Sequence, residues 1–250
     1  MALFKSGNPA LRENTFAGLS EGASGQESMS LQGTVNKTGL LLIAVFLPAV
    51  YVWDLFSATG EFSSISTWFY VGLFGGLITA IVLVFNKQLA PYLALVYAGF
   101  EGLAMGGLSA LMEFSYPGIV IDALLLTFGI FFALLFVYKL GIIKPTENFK
   151  LIVASATGGI ALFYVISLAL SFFGIQAPLI HDSSLLGIGF SLFVVVIASM
   201  NLVVDFDFIE QGVESGAPKY MEWYGAFGLM VTLIWLYVEI LRLLAKMRRR

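Results

Sequence analysis

Acidic side chains set inside apolar sequence are the groups in this chain best placed to do chemistry. Glu101 lies near the middle of GFEGLAMGGLSALMEF. Asp205 and Asp207 follow Asn201 in NLVVDFDFIEQG, and Glu239 sits in LYVEILRLL. An ionisable group deep in a membrane helix costs at least about 2.5 kcal/mol to insert, so each is a candidate for handling ions or protons. On a helix, Asp205 and Asp207 point about 200° apart and cannot both face one bundle axis. Asn201 and Asp205, four residues apart, share a face and form a polar track of oxygen ligands. Asp205 is therefore the preferred carboxylate, and Asp207 reads as a marker of the helix end. Glu101, at the midplane, must be protonated, hydrogen-bonded to a neighbour or in water along a pathway. Glu239 and Arg242, three apart, can pair with each other. Asp54 and Asp122 lie closer to the interfaces, where they snorkel or cap. Oxygen ligands suit calcium, and close carboxylates share a proton and so respond to pH.

Other chemistries lack their residues. The chain has no cysteine and one histidine, so a zinc site or a thiolate nucleophile is not expected. His181, beside Asp182, reads as an exposed loop residue. There is no GxSxG, HExxH or Walker loop, and nothing specifies an intramembrane aspartyl protease. The expectation is a protein that is not an enzyme and has no cofactor, with calcium possible as a transported ion. Its basic residues form no stripe, so nucleic acid is not a partner.

These carboxylates must be positioned by membrane helices. Of 250 residues, 59% are hydrophobic and 12% charged, against roughly 25% charged in ordinary soluble domains; with a mean hydropathy of +0.91, lipid is the natural solvent. Residues 1–36 read as a polar, flexible tail without a signal-peptide core, and 37–250 as a seven-helix membrane domain. The apolar runs are Thr38–Ser57, Trp68–Phe85, Pro91–Met112, Gly118–Tyr138, Leu151–Phe173, Ser184–Val204 and Tyr220–Ala245, each near the ~20 residues that cross a bilayer. The loops between them are too short for a soluble domain. Trp235 is too deep for the interfacial belt and is expected to pack. Among the tail and the loops, Lys and Arg fall on the tail and the even-numbered loops and not on the odd-numbered ones, which places the N-terminus in the cytoplasm. Gly102 and Gly106 fit the small-xxx-small pattern of close helix packing.

Four segments then carry a resemblance. MSLQGTVNKTGLLL, GLSALMEF, NLVVDFDFIEQG and YGAFGLMVTLIWLYVEILRLL, in this order among seven apolar runs, resemble the bacterial Bax-inhibitor-like branch of the transmembrane Bax inhibitor motif family. The resemblance covers Ser30 to the C-terminus, and NPALRENTF in the tail is similar to that branch too. It implies an all-α fold of six helices wrapped around a central seventh, in the inner (plasma) membrane. It also implies a proton-sensitive calcium leak and, in animal members, protection against stress-induced cell death. In the better understood members an aspartate on the sixth helix and one on the seventh form a pH-sensitive latch. Asp205 matches the first. The second has no aspartate here: one alignment selects Thr232, another Glu239, and helical rise adds Glu222. An arginine found near the latch in some members has no counterpart in the second span. Two functions follow as expectations: a pH-sensitive cation leak gated at Asp205 with Glu101 as a second station, or a non-conducting regulator that binds a membrane protein such as a protease through its tail.

Overall fold

Long apolar runs in lipid must satisfy their backbone internally, so they become helices. The computed structural model describes residues 27–174 and 182–249. Its helices are α1 (Leu31–Thr59), α2 (Phe62–Phe85), α3 (Ala90–Ser115), α4 (Ile119–Lys139), α5 (Glu147–Ser171), α6 (Leu185–Glu214) and α7 (Met221–Arg249), with a 3-10 turn at Lys87–Leu89 before α3. With that turn counted into α3, seven helices among the described residues are long and apolar enough to cross a membrane. The protein is an all-α, multi-pass membrane protein, and large side chains such as Phe46, Phe74, Phe132 and Leu162 are exposed along the helices, in contact with the bilayer. His181 and residues 1–26 of the expected tail lie outside the described residues.

The two boundaries that differ most from the apolar runs are the start of α1 and the end of α6; α2 also begins earlier, at Phe62. Helix α1 starts at Leu31, because the Ser30 side chain accepts the Gly33 N–H and caps the helix before its apolar part begins. Helix α6 continues to Glu214, well beyond Val204. Phe206, Phe208 and Ile209 are buried there, so burial carries the helix through the acidic residues. Asp205 and Asp207 are consequently interior to α6 and do not mark its end. Between α1 and α2 the chain turns at Gly60, whose φ of 71° and N–H bond to the Phe56 carbonyl end α1 in the left-handed conformation that glycine adopts freely.

The described chain forms two compact units. The first comprises residues 27–117 and Phe208–Met230. In it α1 and α3 approach at glycine: a Cβ on Gly102 would overlap the Val45 carbonyl, and one on Gly106 the Ala49 backbone. Gly72 of α2 meets the backbone at Phe100 and Ala104 of α3 in the same way. The small-xxx-small pair is thus a packing device. Gly106→Ala is expected to destabilise the protein by about 1–3 kcal/mol, the usual overpacking penalty, seen as a lower unfolding midpoint in detergent; an unchanged midpoint would mean that the crossing is loose. Val52, Phe56, Ile65 and Ala110 complete an apolar core.

The second unit comprises Gly118–Asp207 and residues 231–249. Its core gathers Ile160 of α5 with Val194 and Ile197 of α6, flanked by Phe190, Met200 and Trp235; Trp235 packs, as its depth implied. Phe206 meets Phe131 and Tyr138 of α4 with ring centroids 5.8 and 5.7 Å away. Helices α6 and α7 are the most enclosed: 56% of the apolar window of each is buried, against 17–22% in α1, α2, α4 and α5. With α3 between them at 44%, side chains on α6 and α7 are the best kept from lipid.

Candidate functional site

In the second unit, Asp205 is fully buried and Asn201 is 2% exposed, one turn apart on α6. Asn201 Nδ2 donates to Thr157 Oγ1 of α5 at 2.8 Å and to the Ile197 carbonyl at 2.9 Å, which fixes the amide with Oδ1 turned away from both. Asp207, on another face of the same helix, forms an ion pair with Lys150 of α5 at 2.5 Å. Lys150 is itself 6% exposed and also lies 3.7 Å from Glu147. The divergence of the two aspartates thus has a structural meaning: one joins helices, and the other lies on the Asn201 face.

Glu239 is 1% exposed and neutralised on its own helix. Arg242 Nη1 donates to both of its carboxylate oxygens at 3.0 Å and to the Tyr164 hydroxyl at 2.7 Å. The Tyr164 hydroxyl in turn donates to Glu239 Oε1 at 3.0 Å. Further along α7, Lys246 Nζ donates to the Gly187 carbonyl of α6 at 2.9 Å, and Arg248 pairs with Asp122 of α4 at 2.7 Å. Arg242, Lys246 and Arg248 thus each have an acceptor on another helix. Beside them, the exposed Asp182 carboxyl is held below the usual carboxylate range, chiefly by hydrogen bonds from Ser184.

In the first unit, Glu222 is fully buried in the first turn of α7. It accepts the Ser30 N–H at 2.8 Å and the Ser30 hydroxyl at 2.7 Å on Oε1, and Lys37 Nζ on Oε2. Lys219 Nζ lies 3.4 Å from Oε1. Two helix N-termini, those of α1 and α7, converge on this carboxylate, and both dipoles favour a negative charge there. Gly33 is required beside it, since an added Cβ would overlap the carboxylate. Residues 27–29 extend the anchor: Ser28 bridges Pro218, Met29 N–H donates to the Ala217 carbonyl at 2.6 Å and Lys219 N–H to Glu27 at 2.9 Å. Glu101, on α3, is hydrogen-bonded to the Tyr97 hydroxyl one turn earlier. Its Oε1 would lie 3.0 Å from a Cβ on Gly76 of α2. Tyr97 is 4% exposed and meets Phe227 edge-on at 4.9 Å.

The seventh-helix candidates can now be ordered by position. Asp205 is nine residues from the end of α6 at Glu214, about 14 Å of rise. Thr232 is eleven residues into α7, about 17 Å from the same hairpin, and is 2% exposed. Glu239 stands about 27 Å along and Glu222 less than 2 Å. Thr232 is level with Asp205, whereas the two acidic candidates lie elsewhere and are held by cations. The family model described as Bax inhibitor 1 like matches residues 8–249. The chain belongs to that family. Comparison with curated proteins and comparison with solved structures each returned no match.

Within the Bax inhibitor 1 like family, this chain therefore carries one fully buried aspartate on α6 and a buried hydroxyl, Thr232, on α7, while Asp207, Glu222 and Glu239 are each held by a cation. Among the described residues no three of His, Cys, Asp and Glu gather to hold a metal ion. What the α6 face offers is a row of oxygen atoms, suited to passing a cation or a proton. Sequence reasoning missed Lys150, Tyr164, Ser30, Lys37 and Tyr97. Only Tyr97 had a local signal, four residues before Glu101 on one helix; the others come from helices distant in the chain.

Proposed function

We propose that this protein is a pH-sensitive cation leak that passes calcium, gated by the protonation of Asp205. One observation carries the reading: a fully buried carboxyl lies one turn from a buried amide on one of the two most enclosed helices. Gain or loss of its proton changes the charge by one unit where water does not screen it, and such local changes bias bistable elements. Protonation loosens the contacts of the carboxylate and favours the open form. Glu101, hydrogen-bonded to Tyr97 in the first unit, is a further carboxyl suited to holding a proton. In this reading the protein catalyses no covalent chemistry, sits in the inner membrane with its N-terminus in the cytoplasm, and takes part in the stress response.

Calcium flux into liposomes holding the purified protein, compared at about pH 6 and pH 8, tests the reading. Flux without any partner, larger at the lower pH, is the expected result. Well-folded protein that passes nothing at either pH would overturn it. Copurification of a membrane protease that is lost when residues 1–31 are deleted would then point to the regulator.

A further inference from the structure

Along one face of α6, two buried polar stations flank an apolar stretch. At 100° per residue, Ser191, Asn201 and Asp205 fall within about 80° of arc. Ser191 is 1% exposed, and its hydroxyl has no hydrogen-bond partner among the described residues. A buried helical serine or threonine ordinarily bonds the carbonyl four residues back, as Ser199, Ser167 and Thr127 do at 2.7 Å. For Ser191 that carbonyl is Gly187, and Lys246 Nζ reaches it at 2.9 Å instead. Asn201 Oδ1 likewise has no partner among the described residues. Buried oxygens left with spare capacity are commonly met by water.

Ser191 and Asn201 are ten residues apart, about 15 Å of rise. On the arc between them stand Val194 and Ala198, both fully buried. Val194 packs with Ile160 of α5 and Ile197, and Trp235 of α7 closes on the cluster. Polar, apolar, polar is the order along a pore that shuts by dewetting, where an apolar constriction separates two wet vestibules. We propose that the Val194–Ile197–Ile160 cluster is the gate of the leak, with Ser191 and Asn201 as the hydrated stations on either side of it. The inference rests on the cation-leak reading and adds where the path is closed.

The test uses the cysteine-free chain, in which one introduced cysteine is the only thiol. In lipid at about pH 8, Ser191→Cys and Asn201→Cys are expected to react with a charged methanethiosulfonate roughly tenfold faster than Val194→Cys, because the thiolate forms only where water reaches it. Val194→Thr keeps the shape and adds a hydroxyl to the dry stretch; it should raise calcium flux at pH 8 about tenfold, the factor that follows from 1.4 kcal/mol, and Ala198→Ser serves if that variant misfolds. Equal labelling at all three positions overturns the gate. A leaking wild type beside a silent, folded Val194→Thr overturns the gate alone. Silence of both takes away the leak reading and the gate with it.

Discussion

Asp205→Asn is expected to abolish the pH response of calcium flux. Asparagine has nearly the shape of a protonated aspartate and stays neutral from pH 6 to pH 8, so the variant should conduct at pH 8 as the wild type does at pH 6. A proton whose affinity differs by one pKa unit between closed and open forms shifts their ratio about tenfold, which sets the size of the difference to look for. Asp207→Asn separates this effect from a general loss of charge, since Asp207 is held in its ion pair with Lys150; that variant should lose stability and keep its pH profile. Glu239→Gln should also keep it, because Arg242 and Tyr164 engage that carboxylate. A wild-type profile in Asp205→Asn would remove Asp205 from the mechanism.

The second large effect is expected at Glu222. Glu222→Ala leaves the Ser30 N–H, the Ser30 hydroxyl and Lys37 without the acceptor they share. Removing one partner of a buried charge pair costs about 3–5 kcal/mol; with Lys37 18% exposed, the lower end is expected. The unfolding midpoint in detergent should fall, and amide exchange should accelerate at Met29 to Thr38. Gly33→Ala should reproduce the local exchange by pushing the carboxylate away. Protected amides in both variants would mean that the segment is held by other contacts. The pH dependence has a definite sign. The Glu222 carboxylate raises the Lys219 ammonium above its ordinary pKa. Its contribution is complete below the unfolded lysine value near 10.4 and is lost as pH rises through the folded one. That contribution is therefore complete throughout the range of the flux experiment, and a pH effect between 6 and 8 does not arise from Lys219.

Seven helices could be read from the sequence because an apolar run of the right length has one solution in lipid. The shared face of Asn201 and Asp205 could be read as well, since four residues on a helix fix it without knowledge of the neighbours. So could the pairing of Glu239 with Arg242. Lys150, read as a loop charge that sets orientation, instead binds Asp207 across helices, and no local pattern announces a partner in another helix. The start of α1 depended on Ser30 alone, in a polar stretch that hydropathy passes over. Val194 was hidden for the opposite reason: within a uniformly apolar run, nothing separates a side chain facing lipid from one closing a path. The extent of α6 was underestimated because hydropathy falls at Asp205, whereas the phenylalanines between the acids keep that turn enclosed.

The bond between Ser30 and Glu222 spans 192 residues, and this separation becomes a delay during synthesis. At about 5–20 residues per second, the start of α1 waits some ten to forty seconds for its acceptor. Helix α1 must therefore reside in the membrane unanchored, which its lipid-compatible surface permits, with Lys37 and the Ser30 end meeting water and headgroups meanwhile. Translation that stops before α7 would leave that first helix loose, open to quality-control proteases until the last helix arrives.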